Sequence, residues 1–164
     1  MKTKIGSILL LIVMTAVLFT GCSGKETLSV QLLKGGEVLM TASEDAETKL
    51  SAVKMENGNP LFKSVSVSEN KGLFYNSYTV NVITNAAEDT AEYELRVTMP
   101  GKIAQVKDGT ADGNTITFKI ENLKQENDFA AYSDSNNTGV VIIILCVLAA
   151  VGGGFVYIMK RKQG

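Results

Sequence analysis

The chain has 164 residues, a formal net charge of −1, two cysteines, no tryptophan and no histidine. The missing histidine removes the commonest general base and the commonest metal ligand together, so most enzyme hypotheses lose their parts. The near-neutral total hides two populations: Lys2, Lys4, Lys160, Arg161 and Lys162 lie at the ends, while Ser23 to Asn137 holds all 17 acidic residues and 11 basic ones, a net of −6. That middle segment is a poor candidate for binding nucleic acid, or an anionic lipid surface through charge alone.

In chain order, the first element is a targeting signal. Lys2 and Lys4 form a basic n-region, Ile5 to Phe19 an apolar run, and Thr20-Gly21-Cys22 brings small residues up to a cysteine. The run is shorter than the about 20 residues of a spanning helix. Gly21-Cys22 followed by Ser23-Gly24-Lys25-Glu26 resembles the bacterial lipoprotein signal, which implies cleavage after residue 21 and a diacylglycerol on the thiol of Cys22. An ordinary signal peptide or an uncleaved signal anchor is the alternative.

Ser23 to Asn137 is long enough for one core. Leu28, Val30 and Leu32 alternate with polar residues, Lys34-Gly35-Gly36 offers a turn, and Glu37 to Thr41 reads as a second strand, making a hairpin. Thr41 with Glu44 forms a capping-box pattern, and Ala46, Leu50 and Val53 recur at helical spacing up to Asn57-Gly58-Asn59-Pro60, which predicts one helix of about 12 residues. After Pro60 the period changes to two through Leu61, Val65 and Val67. Asn70-Lys71-Gly72 turns the chain into a strand from Leu73 to Thr84, with Phe74, Tyr78, Val80 and Val82 on one face and Tyr75 on the other, exposed. Ala91 to Met99 is the clearest strand: Tyr93, Leu95, Val97 and Met99 face the core, and Glu92, Glu94, Arg96 and Thr98 face water. Beyond Pro100-Gly101, Ile103 to Val106 and Thr115 to Ile120 read as another hairpin, closed through Asp108 to Asn114. Residues 122–138, rich in Ser, Asn and Asp, read as a solvated tether.

Val97-Thr98-Met99-Pro100-Gly101-Lys102-Ile103 and Asp112-Gly113-Asn114-Thr115-Ile116-Thr117-Phe118 resemble the C-terminal half of the LppM-type lipoprotein domain, over about 30 residues. The resemblance implies a lipobox, an exported α+β domain and a single closing membrane helix with a basic tail, and it supplies neither an activity nor a ligand. The expected fold is α+β, an antiparallel sheet of five to seven strands with one or more packed helices. The expected organisation is signal peptide 1–21, exported domain 22–121, tether 122–138, transmembrane helix 139–159 and cytoplasmic basic tail 160–164.

Gly139 to Met159 contains no charge, and its 21 residues span about 30 Å as a helix. Lys160, Arg161 and Lys162 follow directly and mark the cytoplasmic side, so the domain is expected on the extracytoplasmic face of the cell membrane. Ala149 with Gly153, and Ala150 with Gly154, are small residues four apart that let a second helix approach. Cys22 and Cys146 are the only cysteines, so the exported domain has no disulfide.

Four features compete for a functional role. Asp108 to Asn114 has the composition of a calcium loop, but Thr110 and Lys119 stand where an EF-hand spacing needs ligands, so a hairpin turn accounts for them. Glu44, Asp45 and Glu47 suit the first turn of a helix. Phe62, Phe74, Tyr75, Tyr78, Tyr93 and Phe118 either fill the core or line an apolar groove for an acyl chain. A carboxylate pair or a serine with a lysine base is all that an enzyme would have, without distinctive spacing. The expectation is a non-enzymatic module with no cofactor, no metal and no nucleic-acid partner, binding an envelope lipid or protein. The alternative is an accessory subunit of a membrane complex acting through its transmembrane helix.

Overall fold

The computed structural model describes residues 27–88 and 91–162, with side chains in the C-terminal helix described over 139–153. The expected signal peptide 1–21, Cys22 and residues 163–164 of the expected basic tail lie outside these. The chain divides into two compact units, Glu26–Asn136 and one containing Asn137–Gly164.

The first unit is α+β. Its strands are β1 (Ser29–Lys34), β2 (Glu37–Ala42), β3 (Phe62–Lys71), β4 (Tyr75–Thr84), β5 (Tyr93–Thr98), β6 (Lys102–Lys107), β7 (Thr110–Asp112), β8 (Thr115–Ile120) and β9 (Asp128–Asn136), with one short helix, α1 (Ala46–Ser51). They form two antiparallel sheets rather than the single sheet expected: five strands in the order β2-β1-β5-β8-β7, and four in the order β3-β4-β9-β6. Most of these strands carry apolar residues on one face only, and two sheets laid face to face bury all those faces in one core. Val30, Leu32, Leu95, Val97, Ile116, Phe118 and Ile120 contribute from one side, and Val65, Val80, Val82, Phe129 and Ala131 from the other. The rings of Phe118 in β8 and Phe129 in β9 meet across that core at 5.2 Å. Burying such side chains, at about 25 cal/mol per Å² of apolar surface, is the main stabilising term.

Expectation and structure agree on the β1–β2 hairpin, whose turn places Gly35 and Gly36 at φ 55° and 87°. They agree too on β5, where Tyr93, Leu95 and Val97 are buried, as is Met99 just beyond it. The helix is shorter than expected, six residues instead of about 12. Thr41 is taken up by β2, and Asp45 at the N-cap has φ 54° and makes no side-chain capping bond, so the capping box does not form. Ala46 and Leu50 still point into the core, and Val53 packs against it from beyond the helix end. The carboxylate of Glu47 accepts a hydrogen bond from the Val67 amide at 3.1 Å, which ties α1 to β3.

Two further expectations are corrected. The stretch Ile103 to Val106 does not pair with Thr115 to Ile120: β6 crosses to the four-stranded sheet, and the hairpin partner of β8 is the three-residue β7. Asp108, at φ 56°, and Gly109 turn the chain at this crossing, and a Cβ at Gly109 would lie 2.6 Å from the Phe118 ring. Residues 122–138 are not a tether, because Asp128–Asn136 is an interior strand of the four-stranded sheet. Phe129, Ala131 and Ser133 alternate inward there, and Ser133 donates to the Pro100 carbonyl at 2.9 Å. The folded unit therefore passes Glu121 and ends at Asn136.

The second unit contains the helix α2 (Thr138–Lys162), 25 residues long, which covers the stretch 139–159 expected to be helical. Asn137 alone separates it in the chain from β9. Among the described residues no helix is long and apolar enough to cross a membrane; the side chains described in α2 end at Gly153, short of the about 20 residues a span requires.

Candidate functional site: the outer face of the four-stranded sheet

Strand alternation puts every second residue of β3, β4 and β9 on the side away from the core. Register then aligns them in rows across the sheet. Ser68, Thr79, Tyr132 and Gln105 form one row, and Ser66, Asn81, Ala130 and Lys107 the next. Hydroxyls, amides and a methyl dominate. Ala130 is the small member between Asn81 and Lys107, and the sheet is hollowed there into a depression of about 620 Å³ lined by Thr79, Asn81, Ala104, Gln105, Lys107, Ala130 and Tyr132, among others. A bulge between Ile103 and Gln105 interrupts the β6 register beside it.

Two polar pairs fix the rim. The Tyr132 hydroxyl donates to the Asp134 carboxylate, two residues along the same strand, at 2.6 Å, which ties down the phenol end of the ring. The same bond pushes the phenol above its ordinary 10.0, with burial adding to the effect. The Lys107 ammonium pairs with the Asp128 carboxylate, and that hydrogen bond holds the lysine above its ordinary 10.5, so it is a cation throughout the physiological range. One aromatic plate, a fixed cation and a field of uncharged donors and acceptors suit a hydroxylated, polar ligand that stacks on Tyr132. Nothing here is arranged as nucleophile and base.

The residues singled out from the sequence fall elsewhere. Phe62, Tyr93 and Phe118 are buried in the core and Tyr78 is half-buried, so these do not line an acyl groove; Phe74 and Tyr75 are exposed at the β3–β4 turn. Placing Phe74 on the buried face is thus a correction, while Tyr75 is exposed as expected. Asp108 to Asn114 is the β6-to-β8 connection, with Gly113 at φ 60° in its turn. Among the described residues no three Asp, Glu, Cys or His gather where a metal ion would sit. Ala149, Ala150 and Gly153 are exposed on α2, and Gly154 also lies in this helix. A Cβ on Gly153 would meet nothing within 4 Å. Cys22 lies outside the described residues.

Tyr132, Gln105 and Lys107 were not singled out. Residues 128–136 alternate as a strand does, but the inward positions after Phe129 are Ala131 and Ser133, too small and polar for the period to stand out. No protein-family model, curated protein or solved structure matches the chain.

Proposed function

We propose that this chain is a membrane-anchored, extracytoplasmic binding module of the LppM-type lipoprotein kind, held by a diacylglycerol on Cys22 and by α2 as a transmembrane helix. It recognises a polar, hydroxylated partner, such as the glycan headgroup of an envelope lipid, on the outer face of its four-stranded sheet. The observation that carries the reading is the Tyr132 depression. Its lining is uncharged except at Lys107, and such surfaces exchange water for ligand hydroxyls at little desolvation cost compared with charged ones. The anchors rest on the lipobox, on the absence of charge from Gly139 to Met159 and on the basic run Lys160 to Lys162. An acyl-binding interior is not part of the proposal, since Phe62, Tyr93 and Phe118, which would line it, are buried in the core.

The test is mass spectrometry of the full chain released intact from its membrane, wild type beside Tyr132→Ala and Cys22→Ala. A headgroup-bearing lipid that accompanies the wild type and is absent from Tyr132→Ala supports the site, and a diacylglycerol increment lost in Cys22→Ala supports the anchor. Wild-type protein free of any such companion removes the glycolipid reading.

One observation favours a second reading, an accessory subunit acting through α2. Ala149 and Gly153 are exposed four residues apart on that helix, and Ala150 is exposed beside them. A stoichiometric partner, crosslinked in intact membranes and lost in Ala150→Leu with Gly154→Leu, is the outcome that reading requires.

A further inference from the structure

The β3–β4 hairpin breaks the usual rule for its turn. Lys71 pairs with Asn76, and the Gly72 amide donates to the Tyr75 carbonyl at 2.9 Å, which leaves Leu73 and Phe74 as a two-residue loop. Such loops favour Asn-Gly and similar pairs because their common forms need positive φ. Neither Leu73 nor Phe74 has it. The turn is nevertheless tightly set, since a Cβ at Gly72 would lie 2.4 Å from the Tyr75 carbonyl oxygen. Its product is three consecutive large apolar side chains in the open: Leu73 at 61%, Phe74 at 54% and Tyr75 at 58% exposure. The β1–β2 turn of the same unit is built instead from Gly35 and Gly36. Local turn chemistry abandoned in favour of an exposed apolar tip signals a constraint other than folding.

Register says where this tip lies. Tyr75 pairs with Asn136, the last residue of β9, and Asn137 is the only residue between that strand and α2. The apolar tip is therefore at the end of the sheet from which the chain leaves for the 139–159 segment. We propose that the Leu73-Phe74-Tyr75 tip enters the interfacial layer of the bilayer that α2 spans, as a third point of attachment, resting on the reading of α2 as a membrane helix. The occupant of the patch is the lipid interface itself. The composition fits: Leu73 and Phe74 supply the apolar wedge, and Tyr75 behind them is a residue type suited to headgroup depth. Lys71 next to the turn, paired with Glu69 at 3.3 Å, has a stem long enough to keep its ammonium in water. An apolar wedge is also what a net-acidic domain needs at an anionic leaflet, where charge alone repels it.

The absence of tryptophan makes the test direct. Phe74→Trp and Leu148→Trp, each a single tryptophan in the full chain, are reconstituted into phosphatidylcholine/phosphatidylglycerol vesicles with or without acyl chains brominated near the headgroup or near the bilayer centre. Phe74→Trp is expected to lose at least about half its emission to the shallow quencher, and Leu148→Trp to the deep one. Quenching of Leu148→Trp with Phe74→Trp unaffected overturns the tip contact and leaves the membrane helix standing. Absence of quenching in both overturns the membrane helix, and the tip contact with it.

Discussion

The outer faces of the two sheets differ in what they offer. On the five-stranded sheet, Glu94, Arg96 and Lys119 alternate with threonines, and Arg96 is paired with Glu94 along its own strand, so its charges are matched locally and solvated. On the four-stranded sheet the equivalent rows carry serine, threonine, asparagine, glutamine, alanine and one tyrosine, with Lys107 at the β6 edge paired to Asp128, and the sheet is hollowed. The inner faces are alike, since both must fill one core. Packing therefore constrains the inner faces in the same way, and only the outer faces are free to diverge.

The comparison breaks first at the shared core. Phe118→Ala removes a fully buried ring that touches Phe129 of the opposite sheet, and a loss of about 3–5 kcal/mol is expected in denaturant unfolding, abolishing both outer faces together. Next is the crossing between sheets. Gly101 has φ 77°, and a Cβ there would lie 2.1 Å from the Asp134 carbonyl oxygen, so Gly101→Ala is expected to lower stability by at least about 1–3 kcal/mol and to disturb the Tyr132–Asp134 rim. Thermal unfolding with the same probe reads both variants.

Smaller effects sharpen the contrast. Tyr132→Ala is expected to weaken ligand binding at least about tenfold with the unfolding transition nearly unchanged, whereas Arg96→Ala on the other sheet leaves binding intact and shifts stability by about 0–1 kcal/mol. Equal losses from both would mean that the four-stranded face has no special role. The pH dependence is the smallest effect. Burial and the Glu69 hydrogen bond raise Tyr78, and the Asp134 hydrogen bond raises Tyr132. A pKa raised in the folded state stabilises fully below the unfolded value of 10.0 and is lost as pH climbs through the folded one. Thermal stability from these two groups is thus flat through neutrality and declines only above that value, and phenolate absorbance should show both ionising late.

Periodicity made the strands legible. Tyr93, Leu95, Val97 and Met99 on one side of β5, and Ile116, Phe118 and Ile120 on one side of β8, could be read because large apolar residues alternate without interruption. Strand β9 escaped because its inward residues are Ala131 and Ser133, and the candidate site escaped with it, since Tyr132 acquires neighbours only when β9 lies between β4 and β6. The six-residue α1 was overread because Thr41 and Glu44 imitate a cap in sequence, while in the fold the pairing of β2 with β1 claims Thr41.

By itself the amino-acid order determined where the chain is apolar and with what period, hence the β1–β2 hairpin, the inward faces of β5 and β8, the helical run beyond Asn136 and the absence of cysteine from the folded unit Glu26–Asn136. These depend on neighbours a few residues apart. The division into two sheets, the passage of β6 away from β8, the incorporation of β9 and the placement of Tyr75 beside Asn136 were decided by tertiary structure alone. Each is a pairing between segments far apart in sequence, and strand pairing is chosen by which apolar faces can share a core, a property no single segment carries.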